Sequence, residues 1–296
     1  MNIFFHNNFL NKLNKCEINK IENNYPKISI VMPSYNQAEF IEKSILSVLN
    51  QDYKNIELII IDGGSNDGTI EIIKKYQDYI FFWVSEKDKG QSDALNKGFK
   101  LSSGEIYGWL NSDDIYLPNA FNKAIKALTK NTDKKIVFGD WLLLDKKDKV
   151  FEYNHAFDFN LNHFKYEGFH LNAQSMFWRA EVHKNFSGFD INLYNTMDYQ
   201  MILEFGIKES QCSFLRISNA LGGFRIYEGQ KTSGINPSVL KEHKFLAKKY
   251  KYSDKYKIVG QIKRLYFRLR RTFWYIKRGG IGNLIFRLKK FYVNRF

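Results

Sequence analysis

Between Lys27 and Leu110 the chain switches repeatedly between two hydrophobic periods. Ile28-Ser29-Ile30-Val31-Met32-Pro33 is an apolar run of strand length. Beyond the Ser34-Tyr35-Asn36 turn, Phe40, Ile41, Ile45, Val48 and Leu49 recur at helical spacing. Ile56 to Ile61 is a second apolar run, ending in the turn-rich stretch Asp62-Gly63-Gly64-Ser65-Asn66-Asp67-Gly68-Thr69. A second helix is predicted from there to about Gln77, then a strand from Tyr79 to Val84, a helix from about Gln91 to Leu101 and a strand from Glu105 to Leu110. This alternation with short links predicts an α/β fold: a mixed, mainly parallel sheet flanked by helices. Ligands of such sheets bind beyond the carboxyl ends of the strands. Pro33, Asp62, Glu86 and Asp113 all fall at such ends.

The fourth apolar run leads directly into Asn111-Ser112-Asp113-Asp114. Carboxylates do not stay in apolar surroundings without a partner. A strand that delivers two of them into a crevice is suited to holding a hard divalent cation such as Mg²⁺ or Mn²⁺. Taken alone, the motif also reads as a turn in which Asp114 caps a helix beginning near Leu117-Pro118. The convergence of four strand ends favours the crevice.

Taken in order, these motifs resemble family 2 of the inverting nucleotide-sugar glycosyltransferases, which have the Rossmann-like GT-A fold. The matching residues are Ser29 to Asn36, Ile61 to Thr69, Asp88-Lys89-Gly90-Gln91-Ser92-Asp93-Ala94-Leu95-Asn96-Lys97-Gly98, Ser103-Gly104-Glu105 and Leu110 to Asp114. Met176-Phe177-Trp178-Arg179, Gly188-Phe189-Asp190 and Met197-Asp198-Tyr199 also fit, so the resemblance runs from about Lys27 to Ser233. It implies that Pro33, Ser34, Tyr35, Asp62 and Gly63 hold the base and ribose of a nucleotide-sugar donor, with Gln91, Asp93 and Asn96 also on the donor side. It implies that Asn111 lies on the donor side, that Asp113 faces the ribose or the metal, that Asp113 and Asp114 bind Mn²⁺ or Mg²⁺ with Asp114 the main ligand, and that Asp198 is the catalytic base. Arg225 precedes a polar loop with Lys231, Thr232 and Ser233 that would close over the pyrophosphate, or would simply be solvated. His170 would line the acceptor site, although a lone histidine in an aromatic stretch is more often structural.

The pattern departs from the family at two positions. Many relatives carry an acid where this chain has Asn111, and many carry a second aspartate, which contacts the base, where it has Gly63. UDP-sugars rank first by resemblance, ahead of GDP- and dTDP-sugars. Asp198 has a second reading too. Met197 to Leu203 looks like an amphipathic helix whose first turn an acid favours.

Composition is that of a globular chain, 44% hydrophobic and 17% aromatic. Cys16 and Cys212 make neither a disulfide framework nor a zinc site, which fits a reducing compartment. Residues 1–25 lack the pattern of a cleaved signal, and no run of 18 apolar residues occurs. The expected organisation is an N-terminal extension at 1–25, a GT-A catalytic domain at 26–238 and a basic helical tail at 239–296.

Charge is unevenly spread. From Lys241 to the end there are 18 Lys and Arg against two acids, a net of +16; the whole chain is +14, so the remainder carries −2. In the tail Ile258, Ile262, Leu265, Leu269, Phe273 and Ile276 recur at helical spacing among the cations, and Gly279-Gly280 is expected to break the helix before Ile281 begins another. Basic amphipathic helices rich in aromatics suit an anionic membrane surface; packing on the catalytic domain or a partner subunit is the alternative. The expectation is a cytoplasmic enzyme, peripheral on the inner face of the cytoplasmic membrane. It would serve a glycan or lipid-linked acceptor in bacterial surface polysaccharide synthesis. Nucleic acid is not expected as a partner: it explains the basic tail but not the acidic strand ends. A nucleotide-sugar-binding scaffold without activity explains the motifs if Asp198 lies away from the metal site. An oligomer remains open.

Overall fold

A computed structural model describes residues 25–168, 171–231, 237–252 and 257–293, with Tyr275 and 278–293 described by their backbone alone. The parallel half comes first. β1 (Ile28–Ser34) is buried along its whole length. It leads through α1 (Ile41–Leu49) to β2 (Ile56–Asp62), then α2 (Thr69–Lys75), β3 (Phe82–Ser85), α3 (Gln91–Leu101) and β4 (Ile106–Trp109). β3 begins later than the apolar run suggests, because a 3₁₀ turn takes up Gln77–Tyr79. The second half comprises β5 (Ile115–Tyr116), α4 (Ala120–Lys130), β6 (Ile136–Leu144), β7 (Val150–Asn154), α5 (Leu161–Glu167), β8 (Met176–Arg179), α6 (Ala180–Lys184), α7 (Met197–Lys208) and β9 (Phe214–Arg225). Two helices follow, α8 (Pro237–Lys249) and α9 (Ile258–Val293). Asp114 caps no helix: α4 starts at Ala120 behind Asn119.

The sheet order is β3-β2-β1-β4-β8-β6-β9-β5, with β7 on β6. β2 and β4 both run parallel to β1, and β3 runs parallel to β2, so the carboxyl ends of all four strands lie at one edge. β8 then joins β4 antiparallel and carries the sheet into its mixed half. Alternate residues of β1 feed two cores. Ile28, Ile30 and Met32 pack with Ile41, Ile45 and Phe121 on one face, while Val31 packs with Leu95, Phe99 and Ile202 on the other. Gly98 lets α3 lie against β1, since a Cβ there would sit 2.3 Å from a Val31 methyl.

α7 is not amphipathic. Nine of its twelve residues are buried, because it lies between α5, α8 and the sheet face. The boundary expected at 239 falls inside α8, whose Leu246 and Ala247 are buried, Leu246 in the core beside the sheet. α8 therefore packs into the same core as the sheet, and α9 follows it. That helix continues through Gly279-Gly280 without a break. Glycine costs about 1 kcal/mol in a helix but does not forbid it, as proline would. One face of α9 docks on α5: Phe267 is buried beside His163 and Tyr166, and Arg268 and Arg271 pair with Glu167. Ile258, Ile262, Leu265, Leu269 and Phe273 are exposed, each by 60% or more. No described helix is long and apolar enough to cross a membrane.

Candidate active site at the strand ends

The end of β4 presents two adjacent acids in unlike settings. Asp114 is fully buried. Its Oδ1 accepts the Arg225 backbone N–H at 2.9 Å, and its Oδ2 accepts Gln174 Nε2 at 2.8 Å and Asn111 Nδ2 at 3.1 Å. Asp113 is half-buried; Tyr227 donates to its Oδ2 at 3.0 Å and Gln230 at 3.5 Å, while its Oδ1 takes no side-chain donor among the described residues. Burial, and then the neighbouring Asp113, hold Asp114 well above the usual carboxylate range; burial raises Asp113 as well. Two carboxylates raised in this way are short of positive charge, and oxygen donors of this kind suit a hard cation. Among the described residues no three His, Cys, Asp or Glu side chains cluster as a metal cage. A cation here would take a carboxylate oxygen from Asp113 and complete its shell with phosphate and water, as Mg²⁺ commonly does. The residues fit that arrangement, with Asp114 as the buried support and Asp113 as the accessible ligand, the reverse of the expected ranking.

Asn111 links this pair to the next helix. Its Oδ1 accepts Gln91 Nε2 and Trp109 Nε1, both at 2.8 Å. Gln91 in turn accepts Lys231 Nζ at 3.1 Å, and that ammonium lies 4.0 Å from the centre of the Tyr194 ring. Burial lowers Lys231 to about 8, against the opposing pull of Asp198 and Glu242.

Asp198 sits in the first turn of α7, half-buried, with its Oδ1 accepting the Tyr199 N–H at 2.8 Å. Burial pushes it up to about 6, even though that N–H and the nearby Lys231 charge pull it down. The chain entering α7 is pinned by Glu242 of α8, whose carboxylate accepts the N–H groups of Asn195 and Thr196 at 3.0 Å and the Thr196 hydroxyl at 2.8 Å. Lys231, Gln91, Asn111 and Asp114 thus form one hydrogen-bonded chain, with Asp113 next to Asp114 in sequence and Asp198 close enough to Lys231 to feel its charge.

At the end of β2 the expected ligand is locked. Asp62 is fully buried; its carboxylate accepts Ser65 N–H at 2.8 Å, Gly64 N–H at 3.1 Å, Ser65 Oγ at 2.5 Å and Ser85 Oγ at 2.6 Å. It is the hub of its own loop, with no oxygen left to turn toward a base. Pro33 is buried in β1, Ser34 is buried with no hydrogen-bond partner for its Oγ among the described residues, and the Tyr35 ring is 61% exposed.

Three further residues differ from expectation. Asp93 accepts the Lys89 N–H at 3.1 Å and pairs with Lys97, closing the start of α3. Asn96 clamps Phe189 from both sides, donating to its carbonyl at 2.8 Å and accepting its N–H at 2.9 Å. Both act within the scaffold. Arg225 is fully buried; its guanidinium binds Asp148 and the Asp113 carbonyl and lies over the Phe40 ring at 4.8 Å. It braces the β4 loop and is not free to reach a pyrophosphate. His170, Thr232 and Ser233 lie outside the described residues. Gln174, Tyr227, Gln230 and Glu242 carry no motif of their own, and only the fold brings them to the site.

The profile of glycosyl transferase family 2 matches residues 29–186. The chain belongs to glycosyl transferase family 2. Among curated family relatives, an uncharacterized glycosyltransferase of Rickettsia typhi is 41% identical over 128 residues, 43% of this chain and 40% of its own length. Escherichia coli WfgD, named a UDP-Glc:alpha-D-GlcNAc-diphosphoundecaprenol beta-1,3-glucosyltransferase, is 35% identical over 124 residues, 42% of this chain and 49% of its own length. The matched part spans 19% to 49% of the curated relatives' own lengths. Among solved structures, S. aureus TarS 1–349 in complex with UDP-GlcNAc has a TM-score of 0.64 at 16% identity, over 86% of this chain and 74% of that one. The mannosyltransferase PcManGT from Pyrobaculum calidifontis, in complex with GDP-Man and Mn²⁺, has a TM-score of 0.54 at 13% identity, over 93% and 82%. At such identities the likeness speaks for the fold, which is that of the GT-A glycosyltransferases.

Proposed function

We propose that this chain is a metal-dependent inverting glycosyltransferase. It moves a sugar from a nucleotide donor, UDP-sugars first, to a hydroxyl of a glycan or lipid-linked acceptor in bacterial surface polysaccharide synthesis. The observation that carries this reading is the hydrogen-bonded chain from Asp114 through Asn111 and Gln91 to Lys231, whose charge acts on Asp198. A half-buried carboxylate beside Lys231 supports an enzyme over a scaffold without activity. A lipid-linked acceptor and a UDP donor are supported by WfgD, a UDP-Glc:alpha-D-GlcNAc-diphosphoundecaprenol glucosyltransferase, and a UDP-sugar also by the ligand of TarS.

When bound, Mn²⁺ or Mg²⁺ supplies charge compensation for the leaving nucleoside diphosphate. Asp113 is the residue to hold it, supported by Asp114. Asp198 takes the proton from the acceptor hydroxyl as that oxygen attacks the anomeric carbon; a carboxylate raised to about 6 is a better base than an ordinary aspartate and still ionised at neutral pH. One displacement without a protein nucleophile inverts the configuration. Lys231 keeps Asp198 ionised and orients Gln91.

The exposed apolar stripe of α9, flanked by Lys and Arg, supports peripheral attachment to an anionic membrane on the cytoplasmic side, where a lipid-linked acceptor would lie. The test is a screen of nucleotide sugars with Mn²⁺ and Mg²⁺, reading donor hydrolysis and transfer to lipid-linked sugars. Release of nucleoside diphosphate that chelator abolishes is the expected result. Failure of every donor, or full turnover in excess chelator, would sink the reading.

A further inference from the structure

We propose that Asp88, contributed by the loop between β3 and α3, is the carboxylate that reads the nucleobase. The proposal rests on the nucleotide-sugar reading above. A Cβ built on Gly63 would lie 3.0 Å from Asp88 Oδ2 and 3.2 Å from its Oδ1 and Cγ. The Asp88 carboxylate therefore occupies the volume that a side chain at 63 would fill. A side chain at 63 would crowd Asp88 in its present position, and this chain has given the space to Asp88. The Gly90 N–H fixes Asp88 through Oδ1 at 2.8 Å, and Oδ2 has no hydrogen-bond partner among the described residues.

The surroundings suit a base more than a phosphate. Asp62 and Asp88 put two carboxylates at the β2–β3 end, and anions there repel a pyrophosphate. Asp62 is fully committed to its loop, which leaves Asp88 as the acceptor of that end. Ser34 is in register with Asp62 and accepts the Gly63 N–H through its carbonyl, while its buried hydroxyl lacks a partner among the described residues. Tyr35, next in sequence, offers an exposed aromatic face for stacking. β2 and β4 flank β1, so their ends lie two strand spacings apart, about 10 Å. The base rests at the β2 side and the diphosphate at the β4 side, beside Asp113. A carboxylate acceptor selects bases with an N–H on the pairing edge, which means N3–H of uracil or thymine and N1–H of guanine.

The test is calorimetry on the full chain with Mn²⁺, using UDP, dTDP and GDP, then the counterpart of the tightest one methylated at that ring nitrogen. The native protein should favour the parent base by about tenfold or more, as expected for a charge-assisted hydrogen bond. Asp88→Ala should weaken the parent and erase the discrimination, whereas a merely structural role would weaken both ligands alike. Gly63→Asp alone should lose binding by crowding Asp88. Gly63→Asp combined with Asp88→Gly should recover the discrimination from the other side of the shared volume. If the native protein binds none of the nucleotides, both this proposal and the enzyme reading fall. If it binds and Asp88→Ala still discriminates, this proposal alone falls.

Discussion

The ends of β2 and β4 solve one problem in two ways. Each must place an acid in a crevice and also hold a loop in shape, and one carboxylate cannot do both. At β4 the tasks fall to neighbours in sequence. Asp114 takes three N–H donors and fixes the turn, while the adjoining Asp113 keeps an oxygen toward the opening. At β2 they fall to residues far apart in sequence. Asp62 takes four donors from Gly64, Ser65 and Ser85, and the open oxygen belongs to Asp88, across from Gly63. Counting donors on each carboxylate therefore separates the acids that make the site from those that use it. A saturated buried acid contributes to stability, because removing its charge strands several N–H and O–H groups; an open one contributes to chemistry.

The strongest way to break this division is to remove the open acids. Asp198→Asn should lower transfer by ~10²–10⁴-fold, the usual contribution of general-base catalysis, while leaving donor affinity near the native value. Asp113→Asn should lower turnover by ~10²-fold and weaken the metal dependence, comparable with losing one preorganised electrostatic contact. Both variants should melt close to the native temperature. Near-normal transfer by Asp198→Asn would return that residue to a role in the first turn of α7.

The saturated acids should behave in the opposite way. Asp62→Asn turns an amide toward buried donors, so it should cost about 2–3 kcal/mol, read as a drop in melting temperature of roughly 5–10 °C; Asp114→Asn should cost less, because burial and Asp113 already disfavour the Asp114 charge. A stable Asp114→Asn that has lost all metal response would instead make Asp114 the direct ligand.

The two regions were also unequally legible from sequence. The strands and helices of the parallel half follow from local hydrophobic period, and α3 begins and ends at the residues that its pattern marks. Local period cannot see partners brought in from elsewhere. Arg225 looks like the base of a solvated loop, but Asp148, 77 residues earlier, neutralises it in the interior. Asp62 and Asn96 carry motif positions but spend their hydrogen bonds on the scaffold. α7 has polar residues at the spacing of an outer face, yet Gln200 and Glu204 are buried and satisfied by the Gly188 carbonyl, Tyr250 and Lys208. The pair Asp113–Asp114 stands out in the sequence as a candidate; which of the two has an oxygen without a side-chain donor required the positions of Gln174 and Arg225.

The pH profile sharpens the division further. Asp198 must be ionised to act as a base, so transfer should rise about tenfold per unit as pH climbs toward about 6 and then level off. Lys231 lowers the pKa of Asp198, so Lys231→Met should move this acid limb upward, toward neutrality. An acid limb that stays put in Lys231→Met would uncouple the two groups.

The smallest effects on catalysis are expected from α9, where the same contrast between committed and open groups recurs along one helix. Phe267 is buried against α5, and Arg268 and Arg271 pair with Glu167, so this face holds the tail to the body. Deleting the tail would disturb that packing, which makes deletion a poor probe of membrane binding. Leu265, Leu269 and Phe273 on the outer face touch no such core and are 60–70% exposed. Replacing all three with Gln should leave melting and turnover on a soluble acceptor unchanged while reducing sedimentation with anionic vesicles. The cations that remain should still give weak, salt-sensitive binding, since each near an anionic surface contributes roughly 1 kcal/mol. Phe267→Ala should do the reverse, lowering the melting temperature with little change in vesicle binding. If the triple variant binds vesicles as well as the native protein does, the apolar stripe does not enter the bilayer and serves another contact.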